Sequence, residues 1–379
     1  YRGHSDLARL NDRYDKQDRS GPKIFVGEWA TIEGYPTPNF HAALSDAAFL
    51  MGLERNSDLV VMEGYAPLMV NVNPGAWQWV SNLIGFDSLR SFGSPSYYVQ
   101  TMFAQNTGDE VLPLSLSVPK AVLPKEIYKG RYGFGAMGAA EFKDLTVDGR
   151  PLSIDVSPGR WSVKDGVYTF AQAGGRGGEL LAGDLATGDF DLKFKVRRTG
   201  ANGGFRVRFH QQDDMHSWFW EVGRGNSSIR RHEVFENDLV GNESPFELTT
   251  GQWYDVELKV ADGVVWASID GKPVHQVKEE PPATEPLYAC ATRDSASGDV
   301  IVKVVNLTGA DVSVNLTLDG IGRVASASGW ILTGEHSWQN SVTEPTKVSP
   351  QKIAVPLAAQ SFAHTFPGSS LTVLRLKTR

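Results

Sequence analysis

A chain of 379 residues with 41% hydrophobic and 21% charged residues has the composition of a globular protein of two or three domains. Its formal net charge of −7 excludes the broad basic face by which proteins displace counterions from nucleic acid, and the largest basic cluster is Arg230-Arg231. No uncharged run is long enough to cross a bilayer, so no membrane partner is predicted.

The single cysteine, Cys290, excludes an intrachain disulfide and reads as a small buried strand residue. The eight histidines show no Cys/His ligand spacing, so neither a metal nor any other cofactor is predicted. The sequence opens Tyr1-Arg2-Gly3-His4 without an initiator methionine or a leader, and is expected to begin inside a longer protein.

In chain order, Ile24-Phe25-Val26-Gly27 is a short continuous apolar run, the pattern of a parallel strand buried on both faces. Thr37-Pro38 supplies an N-cap followed by proline at the first helical position. Phe40, Leu44, Ala47, Ala48 and Met51 then recur at helical spacing as far as Arg55, where Asn56-Ser57-Asp58 ends the helix. Leu59-Val60-Val61-Met62 is a second buried strand, completing a βαβ unit, and further amphipathic stretches follow near 77–84 and 97–106.

Beyond Val111 the period changes to two. Strands are predicted over 112–118, 168–171, 190–196, 204–209, 218–222, 253–260 and 264–269. Asp270-Gly271 marks a tight hairpin into 273–277. The glycine run 174–178 lacks the lysine of a phosphate loop and reads as an ordinary loop. Residues 279–286 are a proline-rich linker, after which 300–306, 312–318 and 370–377 alternate again. The fold class is multidomain α/β plus all-β. Its expected divisions are an α/β segment over 1–112, a connection with the first strands of a terminal sandwich over 113–140, a large β-sandwich over 141–280 and a terminal β-sandwich over 287–379.

Glu28 stands where a parallel strand ends and its loop begins, the place where (β/α)-barrels carry catalytic groups. Position alone leaves two readings, a nucleophilic carboxylate or a strand-end glutamate held in a salt bridge. Trp29, beside it, is placed to flank a sugar face.

The run Asp18-Arg19-Ser20-Gly21-Pro22-Lys23-Ile24-Phe25-Val26-Gly27-Glu28-Trp29-Ala30 resembles the nucleophile strand of glycoside hydrolase family 51, the α-L-arabinofuranosidases. Further matches follow in order: Asn39-Phe40-His41-Ala42-Ala43-Leu44-Ser45-Asp46, Tyr65-Ala66-Pro67-Leu68, Ser94-Pro95-Ser96-Tyr97-Tyr98, and Lys303-Val304-Val305-Asn306. The resemblance covers nearly the whole chain. It implies the C-terminal part of a (β/α)8 barrel, roughly strands seven and eight, followed by β-sandwich domains. The inserted sandwich, with Trp253-Tyr254-Asp255-Val256, is similar to the laminin-G or concanavalin-like module of larger, plant-like members.

By that resemblance Glu28 is the nucleophile of a retaining mechanism and Tyr1 and Tyr65 fall in matching motifs; with Trp29 and Glu63, taken from their positions at the strand ends, they are the substrate-binding candidates. A retaining enzyme needs a second carboxyl group roughly 5–5.5 Å away. The family carries it in an Asn-Glu pair on an earlier strand. The only such pair here, Asn242-Glu243, falls in the β-rich region, so the acid/base is expected to be absent from this chain. Glu63 departs from the small residue usual at its position and reads as a structural or subsite group more readily than as a replacement acid. Asp15 and Asp46 are assigned solvated or capping roles.

Trp218 and Trp220 share one face of a strand, with Phe219 on the other; the core claims them more readily than a sugar platform. His210, Asp213, Asp214 and His216 invite a metal-site reading that a polar hairpin turn explains equally well.

The expected partner is an arabinose-containing polysaccharide or oligosaccharide, and the expected setting is secreted or periplasmic. The expected activity is release of terminal α-L-arabinofuranosyl groups, with little turnover by this chain alone. Two alternatives stay open, a non-catalytic carbohydrate-binding sandwich protein and a same-family endo-glucanase or xylanase. Nothing in the sequence sets an oligomeric state.

Overall fold

The computed structural model describes residues 1–76, 79–116, 129–154, 156, 161–170, 179–201, 203–212, 216–223, 225–233, 236–278, 285–318, 320–355 and 361–378. The glycine run 174–178, Asp213, Asp214, Trp77 and most of the 279–286 linker lie outside the described residues. Two compact units make up the chain, one from Tyr1–Leu123 with Pro282–Arg379 and the other from Pro124–Pro281. Among the described residues the molecule is mostly β, with three α-helices, and no complete (β/α)8 barrel is present.

The first unit begins with α1 (His4–Arg9), β1 (Ile24–Trp29), α2 (Phe40–Arg55), β2 (Val60–Tyr65) and α3 (Pro95–Ala104). β1 and β2 pair in parallel, as the two apolar runs predict. Burial on both faces is not found. Phe25, Val61 and Met62 are each more than half exposed, because these two strands form a sheet of their own, with α2 packed on one face only. α2 keeps its predicted span, but its N-cap is Asn39 rather than Thr37. The Asn39 side chain accepts from the Ala42 amide at 2.9 Å, and Pro38 lies before the cap. The amides of Phe40 and His41 donate to the carbonyls of Trp338 and His336, so the first turn of α2 is completed by a distant loop.

α3 starts at Ser94, which caps the Tyr97 amide, with Pro95 in the first turn. The amphipathic stretch near 77–84 forms no helix in its described residues. Ile84 instead opens a strand, Ile84–Phe86, parallel to Met69–Asn71 and antiparallel to Ser91–Gly93.

The rest of this unit is two sheets. A six-stranded sheet runs in the order Gln351–Ile353, Val324–Thr333, Ser370–Thr378, Val300–Asn306, Leu287–Arg293 and Glu110–Leu112. A three-stranded sheet holds Ser361–Phe366, Val312–Leu318 and Leu114–Leu116. Pro113 splits the single strand predicted at 112–118 into pieces that join different sheets.

Every residue of Val300–Asn306 is buried, and the two cores explain why. Ile301 and Val305 pack toward α2, while Val300, Val302 and Val304 pack toward the three-stranded sheet. Lys303 lies on the α2 side and is 1% exposed. Its ammonium meets the Glu54 carboxylate of α2 at 2.5 and 2.7 Å, and the Cys290 thiol donates to the same carboxylate at 3.3 Å.

The second unit is two antiparallel sheets around one core. The first follows the order 161–164, 167–170, 140–147, 190–198, 253–261, 264–269 and 272–278; the second follows 179–182, 131–136, 204–211, 216–223, 226–233 and 236–245. Asp270 and Gly271 both have positive φ, the conformation that a two-residue hairpin turn demands. Trp218 and Trp220 belong to the core, and Trp220 donates from Nε1 to Ser227 Oγ at 2.8 Å. Phe219 is also buried, beneath the Arg206 guanidinium, so these three rings form no exposed platform.

Candidate active site

Glu28 is exposed at the C-terminal end of β1. Its strand is held by pairing with β2, where Val26 sits opposite Glu63 and Trp29 opposite Tyr65, with an irregularity between them. A Cβ added at Gly64 would lie 3.0 Å from the Gly27 carbonyl, so glycine there allows the two strands to approach beneath Glu28. The N-terminal residues run alongside. Arg2 bridges Thr31 in parallel, with its amide donating to Ala30 and its carbonyl accepting from Ile32. This pairing brings Tyr1 over the strand end, where its hydroxyl donates to Glu28 Oε1 at 2.7 Å. Burial and the adjacent carboxylate raise the Tyr1 pKa well above its ordinary value, so the phenol keeps the proton that makes this bond.

The other candidates lie behind this pair. Trp29 is 3% exposed, its ring edge-on to Phe49 and Tyr65 at 5.0 and 5.3 Å. It therefore offers no open face to a sugar, which corrects the flanking role expected from its position. Its indole Nε1 instead donates to Glu63 Oε2 at 2.6 Å. Burial raises the Glu63 pKa and the indole bond opposes that shift.

The Tyr65 hydroxyl is buried beside Asp46 and Ser96, where burial and the Asp46 charge push its pKa up. Asp46 is neither solvated nor a cap. It is 1% exposed, accepts from the Thr31 amide at 3.0 Å and from Ser96 Oγ at 2.6 Å, and so joins the segment after β1 to the start of α3. Burial lifts its carboxyl to about 6 against the opposing pull of those donors. Asp15 pairs with Arg55 at 3.0 Å near the other end of α2.

No ligand spacing marks a metal motif along the chain, yet the fold gathers one group of metal-capable side chains among the described residues. One ligand atom each from His4, Glu33 and His41 lie within 4.8 Å of one another. His41 Nδ1 faces both Glu33 oxygens at 2.9 and 3.0 Å, and its ring stacks between those of His4 at 3.4 Å and His336 at 4.2 Å. Burial and the neighbouring imidazole lower His4 well below the ordinary histidine value and bring His336 to about 4. Burial alone would raise Glu33, but the charge and hydrogen bonds of His41, His4 and Asn39 bring it to about 2.

The exposed, tyrosine-bonded carboxylate ends a parallel strand that belongs to the same unit as the terminal β-sheets. The family model of the alpha-L-arabinofuranosidase C-terminal domain matches residues 27–370. The chain belongs to that family. An extracellular exo-alpha-L-arabinofuranosidase of Streptomyces chartreusis is 33% identical over 399 aligned residues, spanning 100% of this chain and 47% of the relative. Alpha-L-arabinofuranosidase 1 of Arabidopsis thaliana is 43% identical over 117 residues, 31% of this chain and 17% of that protein. The solved structure of the arabinose-bound MgGH51 α-L-arabinofuranosidase shares the fold at a TM-score of 0.51 and 17% identity, over 100% of this chain and 36% of that one. The chain thus spans about half the length, or less, of the relatives it matches.

Proposed function

We propose that this chain is the carboxyl-terminal portion of a retaining α-L-arabinofuranosidase in which Glu28 is the nucleophile. The observation that carries the proposal is the 2.7 Å bond from the Tyr1 hydroxyl to Glu28 Oε1 at the end of a parallel strand. A carboxylate so held has one oxygen oriented and its other oxygen available to attack an anomeric carbon. Residues 1–112 are the last two strand-helix units of a (β/α)8 barrel, and the uncovered Phe25, Val61 and Met62 face is where earlier strands pack. The connection expected over 113–140 is shorter, because strands 131–136 and 140–147 already belong to the second unit; that unit is a laminin-G or concanavalin-like sandwich, and the terminal sandwich occupies 287–379.

Glu28 attacks the anomeric carbon of a terminal α-L-arabinofuranosyl group while a general acid from outside these 379 residues protonates the leaving oxygen. Water then opens the glycosyl-enzyme with the same group as base, and two inversions give net retention. Tyr1 orients Glu28 at the site, while Trp29, Glu63 and Tyr65 support the strand ends that shape it. The substrates are arabinose-bearing plant cell-wall polysaccharides or oligosaccharides. The setting is extracellular, in keeping with the name of the Streptomyces relative.

The test is hydrolysis of an aryl α-L-arabinofuranoside by the longer polypeptide and by its Glu28→Gln variant. Loss of turnover with retained folding supports the proposal; an active variant removes Glu28 from the chemistry.

A further inference from the structure

We propose that His4, Glu33 and His41 form a binding site for a transition-metal dication of the zinc class, independent of the carboxylate at Glu28. Two imidazoles and one carboxylate are the donor set that suits zinc and its first-row neighbours, whereas magnesium and calcium favour all-oxygen sites. The three donors come from α1, from the loop after β1 and from the first turn of α2, and both histidines are less than a tenth exposed.

The orientation of each donor agrees with this reading. His4 Nδ1 lies 2.7 Å from the His41 carbonyl oxygen, which can only accept, so Nδ1 carries the proton and Nε2 carries the lone pair. Metal-bound histidines are commonly oriented by such an N–H bond to a backbone carbonyl. Glu33 is oriented in turn by Asn39, whose Nδ2 donates to Oε1 at 2.9 Å. Donors on one tetrahedral zinc stand roughly 3.4 Å apart at bond lengths near 2.1 Å. The ligand atoms here lie within 4.8 Å of one another; an ion would replace the proton that His41 Nδ1 shares with the Glu33 carboxylate, and solvent would complete the shell.

The expected consequence is structural. His4 follows Tyr1 by three residues, and the far face of His41 stacks on His336 in the loop that completes the first turn of α2. An ion at this point would fasten the N-terminal segment to α2.

The test uses the full 379-residue chain without a histidine tag, stripped with a chelator, equilibrated with zinc and desalted. Elemental analysis is expected to find about one zinc per chain, with melting raised by several degrees over the stripped protein. His4→Gln and Glu33→Gln are each expected to bind at least tenfold more weakly and to lose the melting shift. His41→Gln is a third variant, and the other two decide the matter if it does not fold. Failure of the wild-type chain to retain zinc, or equal retention by His4→Gln and Glu33→Gln, overturns the proposal.

Discussion

Tyr1 and Glu28, 27 positions apart in sequence, meet at 2.7 Å because Arg2 pairs with the segment that follows β1. The hydrogen bond is charge-assisted, and its phenol stays protonated through the neutral range. Tyr1→Phe in the longer polypeptide is expected to lower kcat/KM roughly 10- to 100-fold, the equivalent of one bond to a charged group, with the melting temperature little changed. Unchanged kinetics would make the contact incidental.

Lys303 and Glu54 fasten α2 to the six-stranded sheet. With their side chains 1% and 15% exposed, removing one partner leaves a buried charge behind. Lys303→Met is expected to cost about 3–5 kcal/mol, and the double variant Lys303→Met with Glu54→Leu to recover most of it. Denaturant unfolding of both variants checks this. Equal losses in the single and double variants would contradict it.

Asp46 makes stability depend on pH in a definite direction. Its folded pKa of about 6 lies above the ordinary value of 3.8, so the folded chain holds a proton that the unfolded chain has released. That contribution is present below the unfolded value and is lost as pH rises through about 6, a change on the order of 3 kcal/mol. The difference in unfolding free energy between wild type and Asp46→Asn, measured from pH 4 to pH 7, is expected to move against wild type as pH rises. A constant difference would show that Asp46 does not titrate there.

Much of the frame was legible in the sequence. The span of α2 followed from Phe40, Leu44, Ala47 and Met51, and the Asp270-Gly271 turn from its dipeptide. What was not legible depends on partners far along the chain. Asp46 looked like a surface acid because Ser96 lies 50 positions away. The N-cap was placed at Thr37 because a Thr-Pro pair imitates a helix start; the carbonyls of His336 and Trp338 that complete the first turn gave no local sign. His4, Glu33 and His41 follow no ligand spacing, and only the packing of α1 and the loop after β1 against the start of α2 assembles them. Trp29 reads as flanking a sugar because its neighbour is Glu28, but the irregularity between Val26 and Trp29 breaks the alternation of β1 and turns the ring inward toward Phe49.

That inward turn gives Trp29 a checkable role. Trp29→Phe keeps an aromatic ring in place, trims the buried indole and deletes the donor to Glu63 Oε2. The variant is expected to lose about 1–3 kcal/mol, the cost of leaving a partly buried acceptor without its partner. If Trp29→Phe melts with wild type, the bond contributes nothing.

The nucleophile assignment is tested most directly by azide rescue of Glu28→Ala in the longer polypeptide, acting on an aryl α-L-arabinofuranoside. With the nucleophile removed, azide enters the vacated space and attacks the anomeric carbon once. The predicted product is therefore the β-L-arabinofuranosyl azide, with inverted configuration. An α-configured azide, or a Glu28→Ala enzyme that hydrolyses the substrate as wild type does, would contradict the assignment.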